Sequence, residues 1–277
     1  MASKVAAAGS GRLGGRRGEI RGRTAFRLRR AGGAPVTASR LNPTVLAAAL
    51  AAAAFTAGGT AGAGLIGINF VGRETLSHSA MGPAETAGAI VQANWNNATG
   101  GFGTLSALVD ETGAVTDAGV QWRSTAEYLG IDNTPGNGRL MRGHVSRLAD
   151  EAATVTVSGL DTLWPGGLYD VLVYFDGWNP AVDWAGTYTI GDQVLVGTDR
   201  AGTHFDGTFV EDGGSGGNYV RFRNLKGDTF TLSAEVPAGS GGSVAINALQ
   251  IYRTPEPAAL GLLALGLAAG MVRHRRA

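Results

Sequence analysis

Seven short runs fix what this chain can become: "GLIGINFVG", "ATVTVSGL", "GLYDVLVYFDG", "AGTYTIGDQVLVG", "NYVRFRNL", "DTFTLSAEV" and "SVAINALQIYR". Each is rich in Val, Ile, Thr, Tyr or Phe and is bounded by Gly, Asp, Asn or Pro. Branched and aromatic side chains suit a pleated, half-buried surface, and the bounding residues supply turns. In "YVRFRNL", Tyr219, Arg221 and Arg223 alternate with Val220, Phe222 and Asn224, which puts the two sets on opposite faces of a strand. Strands recurring every ~8 to 12 residues with turns between them predict an all-β, antiparallel sandwich. Helix is expected only locally, at "TAEYLG" (125–130) and "GRLMRGHVSRLADE" (138–151).

Both ends differ from this body. Residues 1–40 hold ten basic side chains against Glu19 alone, and residues 273–276 add three arginines. Residues 65–254 hold the other ten basic side chains with twenty acidic ones. The overall charge of +1 therefore hides an acidic body, and such a body lacks the basic face that releases counterions from nucleic acid. Nucleic acid is not expected as a partner. The chain has no cysteine, which excludes a disulfide framework and any Cys-based zinc site.

The stretch "VLAAALAAAAFTA" (45–57) has the length of a secretory apolar region, and "TAGAG" offers cleavage after Ala63. It is short and Ala-rich for a span, so residues 41–63 are read as a cleaved signal. Residues 1–40 form a basic, disordered extension, read as sequence upstream of the working start with Val36 as an initiator. Alternatives are a basic arm, a long signal n-region or a transit-like peptide. Residues 65–253 are the sandwich, and 254–277 are a separate tail.

That tail reads "TPEPAALGLLALGLAAGMVRHRRA". As a helix, residues 258–272 would reach roughly 22 Å, against about 30 Å of hydrocarbon. Pro255 and Pro257 stop regular structure from running into it. Arg273, Arg275 and Arg276 would hold to the cytoplasmic side and leave the body outside. The tail resembles the PEP-CTERM sorting signal of Gram-negative bacteria: a triplet of Pro255, Glu256 and Pro257, a Leu/Gly/Ala span, and a terminal Arg cluster. The resemblance implies a secreted protein, transiently inserted in the inner membrane, processed by an exosortase-type enzyme and delivered to the cell envelope or an extracellular polysaccharide matrix. In it, Pro255, Glu256 and Pro257 are the recognition element and the three arginines the stop and orientation signal. A single-span tail anchor is the plainer alternative.

From Leu140 to Tyr252 the order of "TVTVSGL", "YDVLVYFDG", "GTYTIG", "NYVRFRNL", "GDTFTLSAE" and "INALQIY" resembles a jelly-roll type found in envelope proteins and reminiscent of galactose-binding-like folds. The resemblance implies a jelly-roll-like sandwich and carries no ligand residue with it.

Patterns that mimic active sites fail on context. "GGSGG" around Ser215 is followed by a strand where a nucleophile elbow needs a helix. "GSGRLG" at 9–14 has no strand before it. Asp170 and Asp176, six residues apart on one strand, would be roughly 20 Å apart, too far for a glycosidase pair. Asp176 and Asp183 flank the loop "DGWNPAVDW" and suit turn roles. His78, His144, His204 and His274 are isolated, without metal-ligand spacing. No cofactor is expected. Calcium remains an alternative through Glu211, Asp212 and Asn218 or Asp132, Asn133 and Asn137, although neither set follows the Ca-loop pattern.

The aromatic cluster is the strongest ligand candidate. Trp178 and Trp184 lie in that same loop beside Asp176, Asn179 and Asp183. Rings with adjacent carboxylates and amides can meet a sugar's C–H face and its hydroxyls together. The same two rings also suit a cap on the sandwich core. Trp95, Trp122 and Trp164 read as packing residues. The expectation is a non-enzymatic envelope or matrix protein with a structural or carbohydrate-binding role. The alternatives are a carbohydrate-active enzyme with a loop-borne site and a calcium-stabilised adhesin or scaffold.

Overall fold

The computed structural model describes residues 64–128, 131, 133–147, 151–177, 181–238 and 242–254. The extension, the signal region, the tail from Pro255 onward, and Asp132, Trp178 and Asn179 lie outside the described residues. The strands are β1 (Leu65–Gly72), β2 (Asn96–Thr99), β3 (Phe102–Leu105), β4 (Gly119–Arg123), β5 (Thr125–Tyr128), β6 (Gly143–Ser146) and β7 (Ala153–Ser158), followed by β8 (Tyr169–Tyr174), β9 (Trp184–Ile190), β10 (Gln193–Asp199), β11 (Tyr219–Leu225), β12 (Phe230–Glu235), β13 (Ala245–Ile246) and β14 (Ala248–Arg253). Single helical turns α1 (Glu74–Ser77), α2 (Asn137–Leu140) and α3 (Leu160–Leu163) sit between them.

The fold is all-β, as the alternation predicts. A five-stranded sheet, β11-β8-β14-β1-β2, faces a six-stranded sheet, β10-β9-β12-β7-β4-β3, and a small third sheet, β13-β6-β5, adjoins them. One apolar core fills the space between the large sheets. Ile66, Ile68, Phe70, Val171, Val173, Phe222 and Ile251 meet Trp122, Val155, Val157, Tyr188, Ile190 and Leu232 there. Pairing between these strands is antiparallel apart from β1 with β2, which run parallel. The β9–β10 hairpin closes in two residues, with Gly191 at φ 59° supplying the left-handed position.

Two expectations need correction. The local helix over 125–130 is strand β5 through Tyr128, and in 138–151 only Leu140 and its neighbours form a turn before β6. Pairing of β5 with β6, and of β6 with β13, outweighs local helix preference. Within the five-stranded sheet, β11 alternates as expected, but the inner strands β1 and β8 are not half-buried. All of β1 and β8 are buried, because a second cluster covers the sheet's outer face. Met81, Trp95, Leu140, Met141, Leu172 and Tyr174 form it, with Phe205 and Phe209 packed against them. Trp95, Trp122 and Trp164 are each 4% exposed, in keeping with packing roles.

That double burial forces polar side chains into partnered positions. Asp170 accepts from Arg221 Nε at 2.8 Å, Asn224 N at 2.8 Å and Tyr252 Oη at 3.1 Å. Asn224 stands at φ 54° where β11 slips register against β8. Gln250 donates to Ile90 O at 2.7 Å and to Gln92 Oε1 at 3.0 Å, and its own Oε1 accepts from Tyr174 Oη.

Candidate functional site

At its C-terminal end β8 continues into Phe175 and Asp176, and this turn anchors the site. Asn247, buried between β13 and β14, holds it: its Oδ1 accepts from Asp176 N at 2.7 Å. Its Nδ2 donates to Met141 O at 2.7 Å and Gly143 O at 3.1 Å. Phe175 stacks on Tyr188 at 5.5 Å, and it fits only because residue 197 is glycine, whose missing Cβ would lie 2.5 Å from the ring.

The Asp176 side chain is 4% exposed. Oδ2 accepts from Phe205 N at 2.7 Å, while Oδ1 is buried without a hydrogen-bond partner. His204 Nδ1 stands 4.0 Å from Oδ1, beyond hydrogen-bond reach. Burial, reinforced by the nearby Asp199 carboxylate and only partly offset by Phe205 N–H, pushes Asp176 up to about 8. It is therefore a neutral acid at pH 7, able to donate from a carboxyl. A cavity of about 230 Å³ opens in front of it, walled by Asp199, Arg200, Thr203, His204, Phe205 and Asn218 among others.

Trp184 begins β9, and its half-buried ring lies over two backbones. A Cβ on Gly242 would sit 2.4 Å from the indole, and one on Gly177 3.3 Å away. Trp184 shares a void of about 10 Å³ with Asp176, Phe175 and Tyr188. It also walls a groove of about 390 Å³ with Glu127, Tyr128, His144, Ser146, Arg147 and Ser243. Ser146 and Ser243 hydroxyls bond each other at 2.6 Å. His144 Nδ1 is buried without a partner, and burial lowers this histidine to about 4.

The structure thus brings Asp176 and Trp184 to one place and turns Asp183 elsewhere. Asp183 accepts from Arg200 Nη1 at 2.7 Å and from Ala201 N at 2.9 Å, and these two contacts hold its carboxyl below the usual range. Trp178 and Asn179 lie outside the described residues. The loop oxygens considered for calcium serve local bonds. Asp212 accepts from Thr198, Gly214 and Gly216 N–H groups, and Glu211 pairs with Arg223. Asn218 Oδ1 accepts from Val210 N, Asn133 Oδ1 from Arg139, and Asn137 Oδ1 from Gly88 N. Among the described residues no three His, Asp or Glu side chains gather to hold a metal ion.

Phe205, Asp199 and Asn247 escape the sequence reading, and His204 enters it only as an isolated histidine. Their only signal is composition, "GTDRAGTHFDG" and "AINAL", because what joins them to Asp176 is pairing across 29 and 71 positions.

With a β-sandwich and an acidic-aromatic cleft in place, the class is a loop-sited sandwich carrying a terminal address. Residues 253–276 match the PEP-CTERM protein-sorting motif. This motif belongs to secreted, exosortase-targeted envelope proteins, so the chain is one addressed by that route. Among curated proteins, none matches the chain significantly. Among solved structures, protein YXIM of Bacillus subtilis aligns at TM-score 0.35 and 11% identity, over 69% of this chain and 40% of that one. An exo-β-1,3-galactanase of Phanerochaete chrysosporium, with galactose, aligns at 0.28 and 15%, over 55% and 29%. A β-glucuronidase 2 of Bacteroides uniformis aligns at 0.33 and 10%, over 59% and 20%. The chain spans well under half the length of each, and likenesses this distant transfer no activity. Among the described residues no helix is long and apolar enough to cross a membrane. Removing residues 254–277 is expected to divert the protein from the envelope, followed by fractionation; unchanged envelope localisation would refute the sorting role.

Proposed function

We propose that this is a non-catalytic carbohydrate-binding protein of the envelope or extracellular matrix, with Trp184 as its ring platform. The observation that carries the reading is the groove of about 390 Å³ in which Trp184 and Tyr128 stand beside Ser146, Ser243, Thr125, Glu127 and Arg147. A ring face takes up a sugar's C–H surface, and hydroxyl and charged groups on the rim bond its hydroxyls. The partner is extracellular polysaccharide, met after the sorting signal has delivered the protein.

Trp184→Ala is expected to weaken binding to neutral oligosaccharides by at least roughly tenfold, as loss of a central aromatic anchor does. The ring is only half buried, so the variant should still melt cooperatively. Calorimetric titration paired with a melting curve checks both; undiminished binding by a folded variant would overturn the assignment.

A second reading has its own observation. A neutral Asp176 and Asp199 line the same cavity, and a raised carboxyl beside a second carboxylate is the equipment of a general acid. A glycan hydrolysis screen separates the two, since the enzyme reading requires turnover that falls on Asp176→Asn.

A further inference from the structure

His144 is a buried polar residue whose ring has nothing to bond. It lies in β6, the middle strand of the small sheet, between β5 and β13. Side chains alternate across a strand, and the face that carries Val145 and Ile246 belongs to the core. The opposite face therefore carries His144 and Ser146 on β6, paired with Glu127 and Thr125 on β5. All four of these residues line the groove beside Trp184. His144 is only 5% exposed, so it belongs to the floor of that groove and not to its rim.

Among the described residues the imidazole forms no hydrogen bond, and Nδ1 is sealed from solvent as well. Burial keeps the ring neutral at pH 7, and a neutral imidazole has one N–H and one lone pair. The proton belongs on Nε2, because an orphaned N–H is rarer in an interior than an under-used acceptor. With Nδ1 sealed and the residue lining the groove, Nε2 is the atom through which the ring can meet a ligand. A packing role does not account for this arrangement. A hydrocarbon of the same shape would remove the cost of an unpaired polar group, and the buried side chains that serve structure here have partners, as Asp170, Asn247 and Gln250 do.

We infer that His144 is a ligand-binding residue of the groove, donating from Nε2 to an oxygen of the bound sugar. This rests on the reading of the groove as the carbohydrate site and names the polar group that fixes the sugar's orientation over Trp184. The two residues divide the work by their chemistry. An indole face accepts the C–H surface of many sugars, whereas a single fixed donor is satisfied only where a sugar oxygen reaches it. A sugar without an oxygen at that point leaves a buried donor unpaired, which is the stronger form of discrimination. Mounted on the middle strand of a sheet, the donor is held in place by the fold. Its lack of charge removes the preference for a carboxylate that a guanidinium would bring.

The test is calorimetric titration of the full-length protein with cellotetraose, laminaritetraose and β-1,4-galactotetraose, alongside melting curves. His144→Phe keeps a ring and removes its nitrogens. It is expected to lower binding roughly tenfold, the worth of one hydrogen bond, while melting at or above the parent's temperature because the orphan is gone. His144→Gln, whose amide can carry an N–H to the same place, should stay within roughly threefold of the parent. Proton–nitrogen correlation spectra should show the His144 proton on Nε2, with that resonance moving when the sugar is added. A structural histidine would give the reverse, parental binding with a lower melting temperature, and that result overturns the inference. Binding lost in Trp184→Ala but parental in His144→Phe also overturns it and leaves the groove reading standing. Binding indifferent to both variants, or absent in the parent with all three sugars, overturns the groove reading and this inference together. If His144→Phe does not fold, His144→Gln and the spectra carry the test: a proton on Nδ1, or an Nε2 resonance unmoved by a sugar that binds, overturns the inference.

Discussion

Asp170→Ala is expected to destabilise the body by about 3 kcal/mol, a fall of roughly 6–12 °C in Tm for a domain of this size. Asp170 is 1% exposed and gathers three donors: the Arg221 guanidinium, the Asn224 amide and the Tyr252 hydroxyl. Removing the carboxylate leaves Arg221 without its counter-charge over the Tyr252 ring, 5.2 Å from the centroid. It also leaves the bulge at Asn224 without its acceptor. Arg221 retains 28% side-chain exposure, which lets water compensate in part and places the loss at the low end for a broken buried pair. Replacing both partners with leucine should recover most of it. Thermal melts of the two variants check this; a single variant within 1 °C of the parent would contradict the role of Asp170.

Asp176→Asn should act in the opposite direction. The folded protein holds this proton up to about 8, whereas the unfolded chain releases it near 3.8. A group raised on folding contributes full stability below its unfolded value and loses it as pH climbs toward the folded one. At pH 7 the displacement amounts to about 4 kcal/mol against the fold, at ~1.4 kcal/mol per pH unit. His144 has the reverse sign: lowered from 6.5 to about 4, it takes stability away as pH falls through that interval. The two oppose each other below pH 6.5, and only Asp176 acts between 6.5 and 8. Stability of the parent should therefore fall across that upper interval. Asp176→Asn should be more stable at pH 8 and nearly flat there. Denaturant titrations at pH 6.5, 7.25 and 8 measure it, and parallel curves for parent and variant would contradict a buried neutral acid.

How far the sequence spoke can be judged from these same residues. Alternation located β7, β9, β10, β11 and β12, because one face of each is wet and Val155, Tyr188 or Leu232 must alternate with Thr156, Thr189 or Ser233. The strands between residues 96 and 146 went unread, since short runs such as "NNAT" and "TAEY" owe their conformation to neighbours far along the chain. Burial of both faces of β8 was equally hidden. Asp170 breaks the apolar run "YDVLVY", and only pairing with β11 shows the Arg221 that makes its burial tolerable. In the cleft, Asp176 and Trp184 were legible as an acid and a ring in one loop. His204, Phe205 and Asn247 were not, for their nearness is created by sheet register.

The most direct measurement is equilibrium dialysis of a neutral oligosaccharide against the full-length protein, with the sugar recovered and sized afterwards. A carbohydrate-binding, non-catalytic sandwich requires sugar concentrated with the protein and recovered at its original length. Sugar left evenly distributed, or recovered shortened, would contradict it.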